Sequence, residues 1–143
     1  MHLTNYTDYS LRILMFLATR QKEQLVRSQE IATIYGIPNN HLIKIVRHLS
    51  RLGYIETVRG RNGGMRLGTS TADINIGRVV RDMEDNFHIV ECFNREGNAC
   101  VISGACRLQG VLSEAMNSFL SVLDKYTLQD LVLNKDQLYA LLK

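Results

Sequence analysis

No stretch of the chain approaches the roughly 18 consecutive apolar residues that a membrane-spanning helix needs, so no helical span and no membrane partner are expected. No apolar leader opens the sequence, and the three cysteines, being odd in number, cannot all pair with one another. Reduced thiols in the cytoplasm are therefore the expectation. Proline occurs once, at Pro38. Also missing is any nucleophile-base or paired-carboxylate constellation outside the cysteine segment, so an enzyme is not expected. What remains is a chain of 143 residues, enough for one domain with a real core.

The net charge of +3 conceals an uneven distribution. Residues 1–66 hold 10 Lys and Arg against 4 Asp and Glu, whereas residues 67–143 hold 7 against 10. The basic half could meet an anionic polymer. Its apolar residues Leu11, Leu14, Met15 and Ala18 predict a helix over roughly 7–20, with Thr7 as its cap and Asp8 in its first turn. Ser28 is placed to cap a short helix that stops at Gly36, and Pro38 opens another that runs to Arg51 and ends at Gly53. Two helices joined by Gly36-Ile37-Pro38 have the form of a helix-turn-helix.

The second of those helices has two faces. Leu42, Ile45, Val46, Leu49 and Leu52 can face a core, leaving Asn39, Asn40, His41, Lys44, Arg47, His48 and Arg51 outward with no acidic residue among them. Solvated faces usually interleave acids with bases, so this face points to DNA, where Asn suits adenine and Lys or Arg suits guanine or phosphate. His41 and His48 read as surface or phosphate-contacting residues rather than metal ligands. Directly afterwards, residues 54–58 and 65–67 predict two short strands around Arg59-Gly60-Arg61-Asn62-Gly63-Gly64, a wing whose basic tip can enter the minor groove. These glycines do not fit a phosphate-binding loop of the P-loop type. The expected DNA contacts are Ser28, Asn39, Asn40, His41, Lys44, Arg47, Arg59, Arg61 and Asn62.

Beyond the wing, Asn75 predicts the cap of a short helix through Asp85, and a long amphipathic helix is expected over 105–126. That helix carries Leu108, Leu112, Ala115, Phe119, Val122 and Tyr126 on one stripe and Val111, Met116, Leu120 and Leu123 on another. One stripe can pack on its own domain and the other on a second copy, giving the two-fold reader that paired half-sites require. Thr127-x-x-Asp130 has the form of a capping box for a last helix. Between these helices lie all the cysteines, as Cys92-x7-Cys100-x5-Cys106. Thiolates suit zinc and iron-sulfur clusters, and a four-ligand site needs one further ligand from a residue other than cysteine. The bland alternative is three small buried hydrophobes.

The opening Leu3-Thr4-Asn5-Tyr6-Thr7-Asp8-Tyr9-Ser10-Leu11-Arg12, the wing Arg59-Gly60-Arg61-Asn62-Gly63-Gly64-Met65-Arg66-Leu67, the segment Ile74-Asn75-Ile76 and the three cysteines together resemble the winged-helix iron-sulfur transcription regulators. The resemblance covers essentially the whole chain, with a gap between Cys92 and Cys100 a few residues longer than usual. It implies a mainly α fold with a β-hairpin wing and a long dimerisation helix, and a homodimer on a two-fold operator. It also implies an iron-sulfur cluster, 4Fe-4S with 2Fe-2S as the alternative, held by Cys92, Cys100 and Cys106. One branch of the family adds a histidine three residues after the third cysteine, where this chain has Gln109. The nitric-oxide-sensing branch resembles this chain in carrying an aspartate in the first helix that reaches the other subunit's cluster, which implies Asp8 as fourth ligand. From the residues alone, Asp8 reads as a favourable first-turn acid paired with Arg12. His88, close to Cys92, is the other candidate ligand.

The resemblance thus implies a repressor released by nitric oxide, with oxygen or iron supply as alternative signals. An iron-sulfur carrier and a zinc-stabilised DNA-binding module are the rival classes. The expected division is a reading head over 1–70, a connecting helix over 71–90, a cluster loop over 91–107, and dimerisation and C-terminal helices over 108–143.

Overall fold

The computed structural model describes residues 1–143. The first helix, α1, spans Asn5–Ala18. Its cap is Thr4 rather than the expected Thr7: Thr4 is extended and its hydroxyl accepts the Thr7 N–H, while Thr7 is already helical and buried. Ile13, Leu14 and Phe16 of α1 are fully buried, so this helix forms the middle of the core. Fully burying side chains of this kind stabilises by about 1.5–3 kcal/mol each, before chain entropy is set against it.

Helix α2, Ser28–Tyr35, begins one residue earlier than expected, with Arg27 at the capping position and Ser28 inside the helix. It stops at Gly36, whose φ of +64° is the left-handed conformation that glycine adopts without a Cβ clash. Helix α3, Asn39–Arg51, packs Leu42, Ile45, Val46 and Leu49 against α1 and α2. Leu52, expected in that row, is exposed, because α3 has ended by then and the chain turns away at Gly53. The expected hairpin follows as β1, Ile55–Val58, antiparallel to β2, Gly64–Leu67, in the register Ile55 opposite Leu67 and Val58 opposite Gly64. A Cβ on Gly63 would lie 2.2 Å from the Val58 carbonyl oxygen, so no other residue fits the tight tip. Val26 adds a short bridge on the far side of β2, trading backbone hydrogen bonds with Met65 at 2.9 and 2.8 Å.

A 3₁₀ turn at Thr71–Asp73 leads to α4, Ile76–Met83, capped as expected by Asn75, whose side-chain oxygen accepts the Arg78 N–H. The cysteine segment then carries one 3₁₀ turn, Glu91–Phe93, before α5, Arg107–Leu123. The expected last helix is two short ones, α6 at Leu128–Leu131 and α7 at Lys135–Leu141. Thr127 and Asp130 form the expected capping box. Both short helices return to the head. Leu128 is fully buried in the core, and Arg20 donates from Nη2 to the Leu142 carbonyl at 2.7 Å. The Arg20 guanidinium sits 4.2 Å from the Phe16 ring centroid and 4.7 Å from that of Tyr139, stapling α7 to α1. The result is mainly α with a two-stranded wing, as expected.

Candidate nucleic-acid interface and metal centre

Helix α3 presents Asn39, Asn40, His41, Lys44, Arg47 and Arg51 to solvent, and the helix contains no acid. His48 departs from the expected outward row. It is half-buried, and its Nδ1 lies 3.2 Å from the Tyr6 hydroxyl, which also donates to the Lys44 carbonyl at 3.4 Å. Burial raises the Tyr6 pKa above its ordinary value, keeping the hydroxyl a neutral donor. Tyr6 therefore ties the start of α1 to the recognition helix.

Between the start of α2, α3 and the wing runs an open groove of about 480 Å³ lined by Arg27, Ser28, Arg47 and Arg61. Arg27 donates from Nη2 to the Arg61 carbonyl at 3.0 Å, holding the wing tip beside the helix-turn-helix. The fold thus gathers Ser28, Arg47 and Arg61 along one groove, with Arg59 and Asn62 exposed at the tip. Arg66 is differently used: its Nε and Nη1 each lie 2.9 Å from a carboxylate oxygen, of Glu56 and Glu23 respectively. That hydrogen bond and charge from Arg66 hold the Glu56 carboxyl below its usual range. Sequence patterning missed Ile43, which the helix places on the outer face at 38% exposure.

All three cysteines are free and half-buried. Cys92 lies in the 3₁₀ turn, Cys100 donates its backbone N–H to Asn98 Oδ1 at 3.0 Å, and Cys106 is the residue before α5. Gln109 donates its amide to the Cys92 carbonyl at 3.0 Å, fastening the front of the loop to the first turn of α5. No three His, Cys, Asp or Glu side chains of this single chain converge closely enough to hold an ion. Asp8 lies elsewhere, on α1, and pairs with Arg12 at 2.8 Å as the i,i+4 reading expects. His88 is exposed, and its backbone N–H is donated to Asn86. By donor type the loop still suits a cluster, since its three thiols are uncommitted and soft, and a four-ligand site would need one further ligand from outside the loop.

Two contacts join the end of α4, upstream of that loop, to the reading head. Glu84, just past α4, accepts the Thr4 backbone N–H at 2.6 Å and the Thr4 hydroxyl at 3.0 Å. Since Thr4 caps α1 and Tyr6 grips α3, the segment entering the cysteine loop is two side chains away from the recognition helix. Helix α5 packs on α4 through few residues. Only Leu120 is buried, whereas Leu108 and Val111 are each 60% exposed and Phe119, Val122 and Tyr126 are also uncovered. Val101 and Ile102 of the loop are exposed apolar residues as well.

A basic helix-turn-helix beside an arginine-tipped wing defines a winged-helix DNA-binding transcription regulator. The chain matches the model of the Rrf2 family, iron-dependent transcriptional regulators, over residues 3–134. It belongs to that family. It is 57% identical over 143 residues to the HTH-type transcriptional regulator NsrR of Bacillus subtilis strain 168, covering 100% of this chain and 98% of that protein. It is 54% identical over 142 residues to the NsrR of Bacillus licheniformis, covering 99% of each. Among solved structures it superposes on T. potens IscR with a TM-score of 0.74 at 22% identity, covering 94% of this chain and 88% of that one. The oxidised form of Staphylococcus aureus CymR gives the same TM-score of 0.74 at 24% identity, covering 93% and 97%. Those two likenesses bear on the fold.

Proposed function

We propose that the protein is a cytoplasmic, homodimeric repressor that binds a two-fold DNA operator while it holds an iron-sulfur cluster and leaves it when nitric oxide reaches that cluster. The observation that carries this reading is the set of three free thiols on one loop, together with the hydrogen bonds from Thr4 to Glu84 that tie the end of α4, eight residues before Cys92, to the reading head. Cys92, Cys100 and Cys106 would hold the cluster, of the 4Fe-4S type, and Asp8 of the partner subunit would supply the fourth ligand. Such a cluster offers an iron with a replaceable oxygen ligand, the kind of position at which nitric oxide binds.

The chain's own residues turn occupancy into DNA affinity. Gln109 fixes the loop on α5, and Glu84 holds the cap of α1. Tyr6 transmits the position of α1 to α3. In the proposed dimer, α5 would carry its exposed apolar stripe into the interface, and the cysteine loop at its start would be reached by Asp8 on the partner's α1. Half-sites are about 34–36 Å apart, and a small rotation between heads prevents both recognition helices from docking together. The name NsrR borne by the relatives supports the nitric oxide signal, whereas the family description as iron-dependent favours iron supply as the second reading.

Native mass spectrometry of anaerobically purified protein tests the assignment. The expected species is a dimer with one four-iron cluster per chain. A colourless dimer carrying zinc, or no metal, would overturn it.

A further inference from the structure

The outer face of α3 contains one side chain that cannot make a hydrogen bond. Ile43 is 38% exposed amid Asn39, Asn40, Lys44 and Arg47, and belongs to none of the core packing that holds α3 to the head. Across the groove stands Val58 at the end of β1, 39% exposed, so a small apolar spot lies inside an otherwise cationic and amide-lined surface. On a face turned to solvent such a residue gains nothing, and within a DNA-reading face its chemistry is restrictive. Every base edge in the major groove presents donors and acceptors, and the one apolar group among the four unmodified bases is the C5-methyl of thymine. A branched hydrocarbon placed over guanine, cytosine or adenine would strip water from polar atoms without replacing their hydrogen bonds.

We infer that Ile43 is a specificity-determining residue that packs on a thymine methyl in each half-site, with Val58 closing the wing side of that contact. The inference rests on α3 being the DNA-reading helix. Ile43 stands four residues after Asn39 and three after Asn40, whose amides suit adenine, so the reading helix selects an A·T-rich core by two different means. Lys44 and Arg47 flank it and can reach phosphate or guanine.

The test uses the full-length, anaerobically purified protein and a duplex selected with it from a randomised library. Replacing each thymine singly by deoxyuridine removes only the methyl and leaves every hydrogen bond intact. One thymine per half-site is expected to be sensitive, with affinity falling about fourfold, the worth of one buried methyl group. In Ile43→Ala the same replacement should change affinity by less than about 1.5-fold, whereas Ile43→Val should restore most of the sensitivity, since methyl packing returns. Tolerance of deoxyuridine at every position by the parent protein would overturn the inference, as would equal sensitivity in parent and Ile43→Ala. The first result is read on the parent protein alone, and a misfolded Ile43→Ala would lose binding to every duplex, so a folding defect cannot imitate either result. Failure to enrich any duplex from the library would instead overturn the DNA-reading assignment of α3.

Discussion

Asp8 is asked to do two things that one conformation does not allow. Within the chain its carboxylate faces Arg12, with Nε donating to Oδ1 at 3.1 Å and Nη2 lying 2.8 Å from Oδ2. To ligate a cluster on the partner subunit it must release that pair. The release costs little, because an exposed i,i+4 pair contributes about 0.5 kcal/mol at most. Arg12 also lies over the Tyr9 and Tyr35 rings at 6.0 Å and has an alternative resting place. The expected hierarchy follows. Replacing any of Cys92, Cys100 or Cys106 by Ala should abolish stable cluster incorporation, whereas Asp8→Ala should leave a cluster with an altered spectrum and weaker DNA binding. Anaerobic absorbance and circular dichroism of the four variants check this. An unchanged Asp8→Ala with a changed His88→Ala would move the fourth ligand to His88. At this level the residue types were readable, and their partners only where these lie within one turn. Asp8 and Arg12 meet within one helical turn, so sequence spacing revealed their pairing. Ile43 sits in an apolar-polar pattern in which an isoleucine reads as neutral filler, and only the built helix turns it outward.

Helices and hairpin were legible where local chemistry dictates them. The two faces of α3, the stop at Gly36, the glycine-tipped wing, the Asn75 cap and the Thr127 to Asp130 box all depend on residues a few positions apart. Thr4 and Thr7 are both capable caps three residues apart, and the choice fell to burial of Thr7 in the head. The burial of Arg20 was invisible because its partners on α7 lie far along the chain. The box of α6 gives an acid-range prediction. Backbone and side-chain hydrogen bonds from Thr127 hold the Asp130 carboxyl below its ordinary value of 3.8. A depressed carboxyl stabilises fully above that ordinary value, and its contribution disappears as pH falls through the lowered one. Asp130→Asn should therefore flatten the acid limb of the thermal stability curve, read as Tm against pH from neutrality downward, and an unaltered limb would count against the box. Helix α5 gives a second test. Phe119 is 39% exposed in the single chain, so Phe119→Asp should leave the head folded. It should convert the dimer to a monomer by placing a charge in apolar packing. Sedimentation and circular dichroism of the variant separate those effects, and a variant that stays dimeric would remove α5 from the interface.

Across the whole molecule, charge and connection matter more than any one contact. The basic half of the chain became the reading head and the acidic half became the loop, the long helix and the return helices, so the charge split read from sequence marks a physical division of labour. The arrangement of the thiols was not legible, because three cysteines on one loop describe a donor set and not a geometry, and in the single chain they do not converge. Duplex binding by the head should weaken steeply with salt as counterions are released. An Arg59, Arg61 and Lys44 triple alanine variant should bind more weakly, with the log-log salt slope shallower by about 1 per lost phosphate contact. Unchanged affinity and slope would exclude this surface.

The sensing role is decided most directly by titrating nitric oxide, without oxygen, into cluster-loaded protein on operator DNA while following cluster absorbance and DNA occupancy in the same sample. Absorbance and occupancy should fall together over one range of nitric oxide. Full loss of the original cluster spectrum with the operator still bound, and release only when a chelator removes the iron, would contradict nitric oxide as the signal and leave iron supply in its place.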